Sequence, residues 1–296
     1  MILVTGANGN LGGRVVDHLL KLVGASGFVA GTRTPESRFT RELDQSGVSV
    51  RRADFDDPAT LPQAFDGIET ALIISTYADN SVRPRQNLNA IEAAKAAGVQ
   101  RLVYTSFANA SASSLAEHSH QVHYPTEQAM IASGMDYTIL RHALYADILV
   151  GDLNETLASG VLHRPGGTAA CAYIARDDLG VSAATVLANK GHENRVYTET
   201  MESPLANAEI AALMSEAFGR QIRYEAVPAD AWADYMTEHW GVPANLARSS
   251  IGTMRAIEAG EFDVRSSDYE AITGHPPQTI QTFLSGIASS RTPLGG

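Results

Sequence analysis

The chain has 296 residues, 44% hydrophobic and 19% charged, which suits one large α/β unit, alone or with a small companion, and argues against disorder. Its net charge is −11, with 33 acids against 22 bases, and this disfavours a nucleic-acid reader. No apolar run approaches the roughly 18–20 residues of a membrane span, and the first residues read as a buried strand rather than a signal peptide. A cytoplasmic protein with no membrane and no nucleic-acid partner is therefore expected. The one cysteine, Cys171, allows neither an internal disulfide nor a thiolate metal cluster and is expected as a small buried hydrophobe.

In chain order, Ile2 to Thr5 reads as a short apolar strand, and the turn after it leads into an amphipathic run from Leu11 to about Val23. Phe28 to Thr32 and Val48 to Ala53 read as the second and third strands. Pro58 to Phe65 reads as a short helix with Asp57 available as its N-cap. Thr70 to Ile74 is the fourth strand, and Arg85 to Ala97 carries alanine and leucine at helical spacing until Gly98 stops it. Leu102 to Thr105 and Tyr137 to Leu140 are the fifth and sixth strands, with Glu127 to Ala132 in a helix between them. Residues 146–175 read as irregular. Asp177 to Ala188 reads as a helix with Asp177 suited to its first turn, and Val196-Tyr197 as a strand returning to the sheet. From Ser203 onward most of the chain reads as helices separated by Pro-Gly-type breaks.

This alternation predicts an α/β fold: a Rossmann-type doubly wound parallel sheet with a smaller, mostly helical C-terminal cap. Residues 1–145, with 176–200 returning to them, are expected to form the NAD(P)-binding domain. Residues 146–175 and 201–296 are expected to form the substrate-side cap.

The turn Thr5-Gly6-Ala7-Asn8-Gly9-Asn10-Leu11-Gly12 is a GxxGxxG run between a strand and a helix. The first glycine permits a tight turn, the second lets the backbone approach a pyrophosphate, and the third lets the helix pack on the strand. The helix N-terminus attracts the phosphate charge, so Gly6 to Gly12 are expected to bind a dinucleotide. The second strand ends Gly31-Thr32-Arg33-Thr34, with no acid at its tip. Arg33, with Arg38 in the same loop, is expected to receive a 2′-phosphate, which favours NADPH; Glu36 is the neighbour that opposes this. Asp54-Phe55 has two readings: it borders the adenine, or Phe55 packs the core.

With these features the chain resembles the NmrA-like branch of the atypical short-chain dehydrogenases, in TGANGNLGGRVVDHLL, DFDDPATLPQAFDGIETALIIS, QNLNAIEAAKAAGVQRLVYTS and YTILRHALY. Within that branch it is most similar to the bacterial NADPH:quinone oxidoreductases and triphenylmethane-dye reductases, nearly end to end, including Arg176-Asp177-Asp178 and Gly274-His275-Pro276. The resemblance implies that Gly6 to Leu11 bind the pyrophosphate and Arg33 the adenosine phosphate. It also implies that Ile74, Ser75 and Thr76 pass near the adenine-side ribose and the middle of the cofactor. Leu140, Arg141, His142 and Ala143 would run beside the nicotinamide, and Arg176 would reach the cofactor from the cap. Those reductases tend to carry Asn-Gly-Trp-Tyr where this chain has His142-Ala143-Leu144-Tyr145, so a different substrate wall is expected.

Tyr124 and Gln128 keep the spacing of the tyrosine–lysine pair of ordinary short-chain dehydrogenases, but glutamine carries no charge. Without that charge a phenol stays near about 10 and is a poor acid–base catalyst at neutral pH. Two readings follow. In the favoured one the acceptor needs a hydride and little proton management, as a quinone or an extended cationic dye does. In the other the chain is a catalytically weak NADPH-binding redox sensor acting through a protein partner, as in NmrA-like regulators. Gln128 can hydrogen-bond a ribose hydroxyl in both. Sugar-nucleotide epimerisation is disfavoured because it normally uses the tyrosine–lysine pair.

Tyr145 either meets a substrate or packs at a domain junction. Tyr77, Phe107 and His142 are candidate pocket walls, while Thr105 and Ser106 either meet the nicotinamide or ribose or cap locally. The catalytic candidates are thus Tyr145, His142, Tyr124 and Gln128. Glu117, His118, His120 and His123 are spaced so that the histidines do not share a helical face; a flexible polar flap is expected there, with no metal. The expected function is NADPH-dependent hydride transfer to a small conjugated electron acceptor, and a homodimer is compatible with these features.

Overall fold

The computed structural model of the chain describes residues 1–201 and 203–291. A seven-stranded sheet contains β1 (Ile2–Val4), β2 (Phe28–Thr32), β3 (Ser49–Arg52), β4 (Thr70–Ile73), β5 (Arg101–Phe107), β6 (Asp136–His142) and a last strand, Arg195–Glu199. Every pairing is parallel, and the order across the sheet is β3-β2-β1-β4-β5-β6 and then Arg195–Glu199. The direction of winding reverses between β1 and β4. Beyond their carboxyl ends lies the crevice in which open parallel sheets bind ligands.

Helix α1 (Asn10–Val23) buries Leu11, Val15, Val16 and Leu19, the spacing of one apolar stripe. On its side of the sheet the core also takes Leu179, Ala183 and Val186 from the helix Arg176–Ala188. Helix α2 (Arg38–Gln45) was not foreseen, because only Thr40 and Leu43 are buried and no apolar period marks it. What starts it is local: the Ser37 side chain accepts from the Thr40 amide at 3.2 Å. Helices α3 (Leu61–Phe65), α4 (Arg83–Ala96) and α5 (Tyr124–Ala132) supply Phe65, Ile91 and Met130 to a second core with Leu3, Ile73 and Leu102. Asp57 stands at the N-cap of the turn Pro58–Thr60, but its side chain caps nothing and lies 3.5 Å from Arg52.

Residues 146–175 are more regular than expected. A helix, Leu153–Ser159, ends at Gly160 in the left-handed region, and the strand Val161–Arg164 pairs in parallel with Arg223–Ala226. These pieces are too short to show a period. After Ser203 come the helices Asn207–Phe218, Ala229–Trp240, Ala244–Ser249, Ile251–Glu258, Asp268–Thr273 and Ile280–Ser290. A third core, with Leu149, Leu162, Met214, Phe262 and Leu284, joins them to the segment after β6. Among the described residues no helix is long and apolar enough to cross a membrane.

At the opposite end of the sheet from the crevice, Arg101 opens β5 and is only 7% exposed. Its guanidinium donates to the carbonyls of Val186, Leu187 and Asn189 at 3.0, 3.2 and 3.0 Å, closing the C-terminus of the helix Arg176–Ala188.

Candidate active site

A cavity of about 820 Å³ runs from the glycine turn, past the carboxyl ends of the strands, to the underside of the cap. At the turn, Gly6 has φ +63, and a Cβ on Gly12 would sit 2.1 Å from the Gly6 carbonyl oxygen, so neither position accepts a side chain without rebuilding. Gly6, Asn8, Gly9, Asn10, Leu11 and Gly12 face the cavity. Ala7 does not; it is fully buried, and its amide donates to the Gly31 carbonyl at 3.0 Å, which ties the turn to β2.

Arg33 is exposed at the rim of the cavity and has no ion pair among the described residues, Glu36 included. Arg38 is different: it lies on α2 rather than in a loop, is held by Glu42 at 2.8 Å, and does not reach the cavity wall. Asp54 and Phe55 line the cavity, and Phe55 also belongs to the second core. Ile74, Ser75, Thr76, Thr105 and Ser106 lie in the middle of the wall, where the Ser75 amide donates to Thr105 Oγ1 at 3.0 Å.

The far end corrects several expectations. Tyr124 is 40% exposed, Gln128 is exposed, and neither lines the cavity. The stretch is turned so that His123, Thr126 and Glu127 face inward instead. Arg141, expected beside the nicotinamide, grips Glu127 with two hydrogen bonds of 2.9 and 2.6 Å, and Leu140 is fully buried in the core. The hydrogen bond to Glu127 raises the Arg141 pKa. Ala143 and Tyr145 do line the wall. His142 stands behind them, 0% exposed, with Nδ1 3.3 Å from the Tyr145 hydroxyl. Arg176 lies 4.8 Å over the Tyr145 ring and 3.2 Å from Asp147. Burial pushes the Tyr145 phenol up to about 12.

The stretch expected as a polar flap packs inward. His118 lies edge-on to Phe107 at 4.4 Å, and its Nδ1 is 3.2 Å from Thr253 of the cap. His123 lies between the Tyr104 hydroxyl at 2.9 Å and Arg83 at 3.2 Å. Burial and the Arg83 charge push His118 down to about 3 and hold His123 well below the usual histidine range, so both rings are neutral at pH 7. Arg83 also donates to Ser75 Oγ at 3.0 Å, and its Nε has no hydrogen-bond partner among the described residues. Sequence reasoning missed Arg83, which opens α4 on the wall of the cavity. It also missed the cap's contribution of Arg164 under Trp232 and Trp240, at 5.3 and 5.9 Å. Tyr77 lines the same cavity but is 78% exposed.

The arrangement offers a cradle of backbone amides and the Arg33 guanidinium at one end, and a mostly apolar chamber carrying Arg83, Arg164 and Arg176 at the other. A more open hollow of about 640 Å³ elsewhere in the cap is lined by Gly166–Ala169, Ala226–Pro228 and Glu258–Gly260, with Glu258 as its one ionisable side chain.

Comparison with known proteins follows the same line. The chain is 34% identical over 291 residues to quinone oxidoreductase 2 of Escherichia coli, covering 97% of this chain and 98% of that protein. The crystal structure of the Citrobacter triphenylmethane reductase complexed with NADP(H) superposes with a TM-score of 0.88 at 33% identity, over 97% of this chain and 99% of that one. That of an Escherichia coli NADPH-dependent quinone oxidoreductase complexed with NADPH gives 0.89 at 32%, with the same coverage. The model of the NmrA-like family matches residues 1–273, and the chain belongs to that family.

Proposed function

We propose that the protein is an NADPH-dependent oxidoreductase that reduces a small conjugated acceptor, a quinone or a related dye. The observation that carries this reading is the continuity of one cavity from the glycine turn and Arg33 to the aromatic chamber around Tyr145 and Arg176. The turn fits a pyrophosphate: its glycines leave the backbone bare, and α1 points its N-terminus there. Arg33 suits a 2′-phosphate because no acid at the end of β2 competes for it. When bound, NADPH supplies the hydride. The chain supplies the rest. Phe107, His118, Trp232 and Trp240 enclose a flat acceptor and exclude water, while Arg83 and Arg176 favour negative charge developing on it. The relatives whose names carry quinone and triphenylmethane reduction support the substrate class.

A tyrosine–lysine relay is not part of this proposal. Its second position is Gln128, and both members of the pair lie outside the cavity. The test is the loss of NADPH absorbance at saturating cofactor with quinones, cationic dyes and simple ketones, beside a direct NADPH titration. Turnover of quinones or dyes but not ketones is expected. Tight NADPH binding with no turnover on any acceptor would replace this reading with that of a redox sensor.

A further inference from the structure

Glu199 is an unusual residue to find at the end of the last strand. It is 0% exposed, and among the described residues neither carboxylate oxygen has a hydrogen-bond partner. Burying a carboxylate in this way is strongly unfavourable unless a positive charge or a proton compensates it. The register of the sheet supplies the compensation. Glu199 is the cross-strand partner of His142 on β6, and His142 Nε2 lies 3.2 Å from Glu199 Oε2. The two atoms are close but off hydrogen-bond alignment. The other ring nitrogen, Nδ1, lies 3.3 Å from the Tyr145 hydroxyl, and Tyr145 is on the cavity wall. Three side chains thus connect a closed carboxylate to the chamber where an acceptor would lie.

We infer that Glu199, His142 and Tyr145 form a buried proton-delivery chain, with Tyr145 donating to the reduced acceptor and the other two acting behind it as positioning residues. The inference rests on the reductase reading above. In this chain His142 carries a proton on each ring nitrogen, Nε2–H facing the Glu199 carboxylate at ion-pair distance and Nδ1–H offered to Tyr145; these proton positions are assigned from the neighbours of each atom. The acceptor gains a hydride with its electron pair from the nicotinamide. The oxyanion then takes the Tyr145 proton, Tyr145 Oη regains one from His142 Nδ1, and once product has left, the buried pair is reprotonated through Tyr145 from water in the cavity. The sum is acceptor, NADPH and one proton going to reduced acceptor and NADP⁺.

Other charged and titratable groups bear on the chain. Arg176, Arg83 and Asp147 act electrostatically on Tyr145, His123 is near enough to His142 to feel its charge, and Tyr269 likewise feels that of Glu199. Arg176 and Arg83 favour a phenolate at Tyr145 for the moment before it is reprotonated. The chain accounts for a feature that packing alone does not: an apolar residue would fill the place of Glu199 without the cost of burying charge.

The test compares wild type with Tyr145→Phe, His142→Asn and Glu199→Gln, each first shown to bind NADPH in a titration. Single-turnover rates are measured at saturating NADPH with 1,4-benzoquinone, whose reduction takes up a proton, and with malachite green, a cation that accepts hydride without one. The expected result is a fall in the quinone-to-dye rate ratio of about tenfold or more for Tyr145→Phe and smaller falls for the other two, general acid catalysis contributing ~10²–10⁴ at most. A solvent deuterium isotope effect on the quinone step is expected in wild type and lost in Tyr145→Phe. Equal losses on both acceptors, or an isotope effect that survives Tyr145→Phe, would overturn the chain and leave the reductase reading standing. Should the dye not turn over, the isotope effect decides alone. NADPH binding by wild type with neither acceptor reduced would overturn both. If His142→Asn does not fold, Tyr145→Phe and the near-isosteric Glu199→Gln still decide the matter.

Discussion

The two ends of the cavity are built in different ways. At the glycine end the work is done by backbone: a turn with φ +63 at Gly6, no room for a Cβ at Gly12, and a helix N-terminus. All of it comes from a dozen consecutive residues. At the far end the work is done by side chains brought from separate places: Arg83 from the start of α4, His118 and His123 before α5, Tyr145 after β6, Arg176 from a later helix, and Arg164 and Trp240 from the cap. Local backbone geometry tolerates little change, whereas a wall assembled from distant side chains can be altered one residue at a time. That difference lets a family keep one cofactor and vary its acceptor.

Substitutions should fall on the molecule with graded severity. The largest effect is expected from Arg141→Leu, which leaves the buried Glu127 carboxylate without its bidentate partner. A loss of roughly 3 kcal/mol of stability should appear in urea denaturation, the low end for a broken buried pair because Arg141 is partly exposed. Gly12→Val should weaken NADPH by about 30- to 100-fold in a fluorescence titration, as expected for ~2–3 kcal/mol of backbone overlap. If affinity survives, the glycine end is softer than its geometry implies. Arg33→Ala should cost NADPH about 10- to 30-fold, from the loss of a charge-assisted contact worth ~1.5–2 kcal/mol, and NADH little. Equal losses on the two cofactors would remove the 2′-phosphate assignment.

A smaller effect should appear with pH. Folded His118 sits near 3, well below its unfolded value of about 6.5, so the unfolded chain takes up that proton first as pH falls. Stability is fully present above about 6.5 and is lost toward 3, at no more than about 1.4 kcal/mol per pH unit for each such group. Denaturation midpoints for His118→Gln should therefore show a shallower acid limb than wild type between pH 6.5 and 5. The smallest effect belongs to Gln128→Lys. At an exposed position off the cavity, quinone turnover and stability should stay within about 0.5 kcal/mol of wild type. A large gain in ketone reduction would show that Tyr124 and residue 128 reach the reacting centre after all.

The same contrast explains what the sequence made legible. The parallel sheet, the glycine turn and Arg33 could be read because each depends on a short contiguous pattern. Tyr124 and Gln128 do share a helix face, as their spacing requires, but which face turns inward depends on how α5 seats against the sheet. The stretch has no apolar stripe to announce that, and a rotation of about 100° per residue brings His123 and Glu127 in instead. Helix α2 was missed because a capping serine and two buried residues leave no period. Glu199 lies two residues past the stretch read as the last strand and carries no signal of its own; its place is set by a register that puts it opposite His142.

The clamp of Arg101 on the last carbonyls of the helix Arg176–Ala188 gives that helix a second role. A 13-residue helix is a rod about 20 Å long, fixed at its far end to the start of β5 and carrying Arg176 at its near end against Tyr145 and Asp147. The placement of a guanidinium on the cavity wall is therefore anchored at the opposite end of the sheet. A change at Arg101 would be felt as lost alignment at a place it never touches.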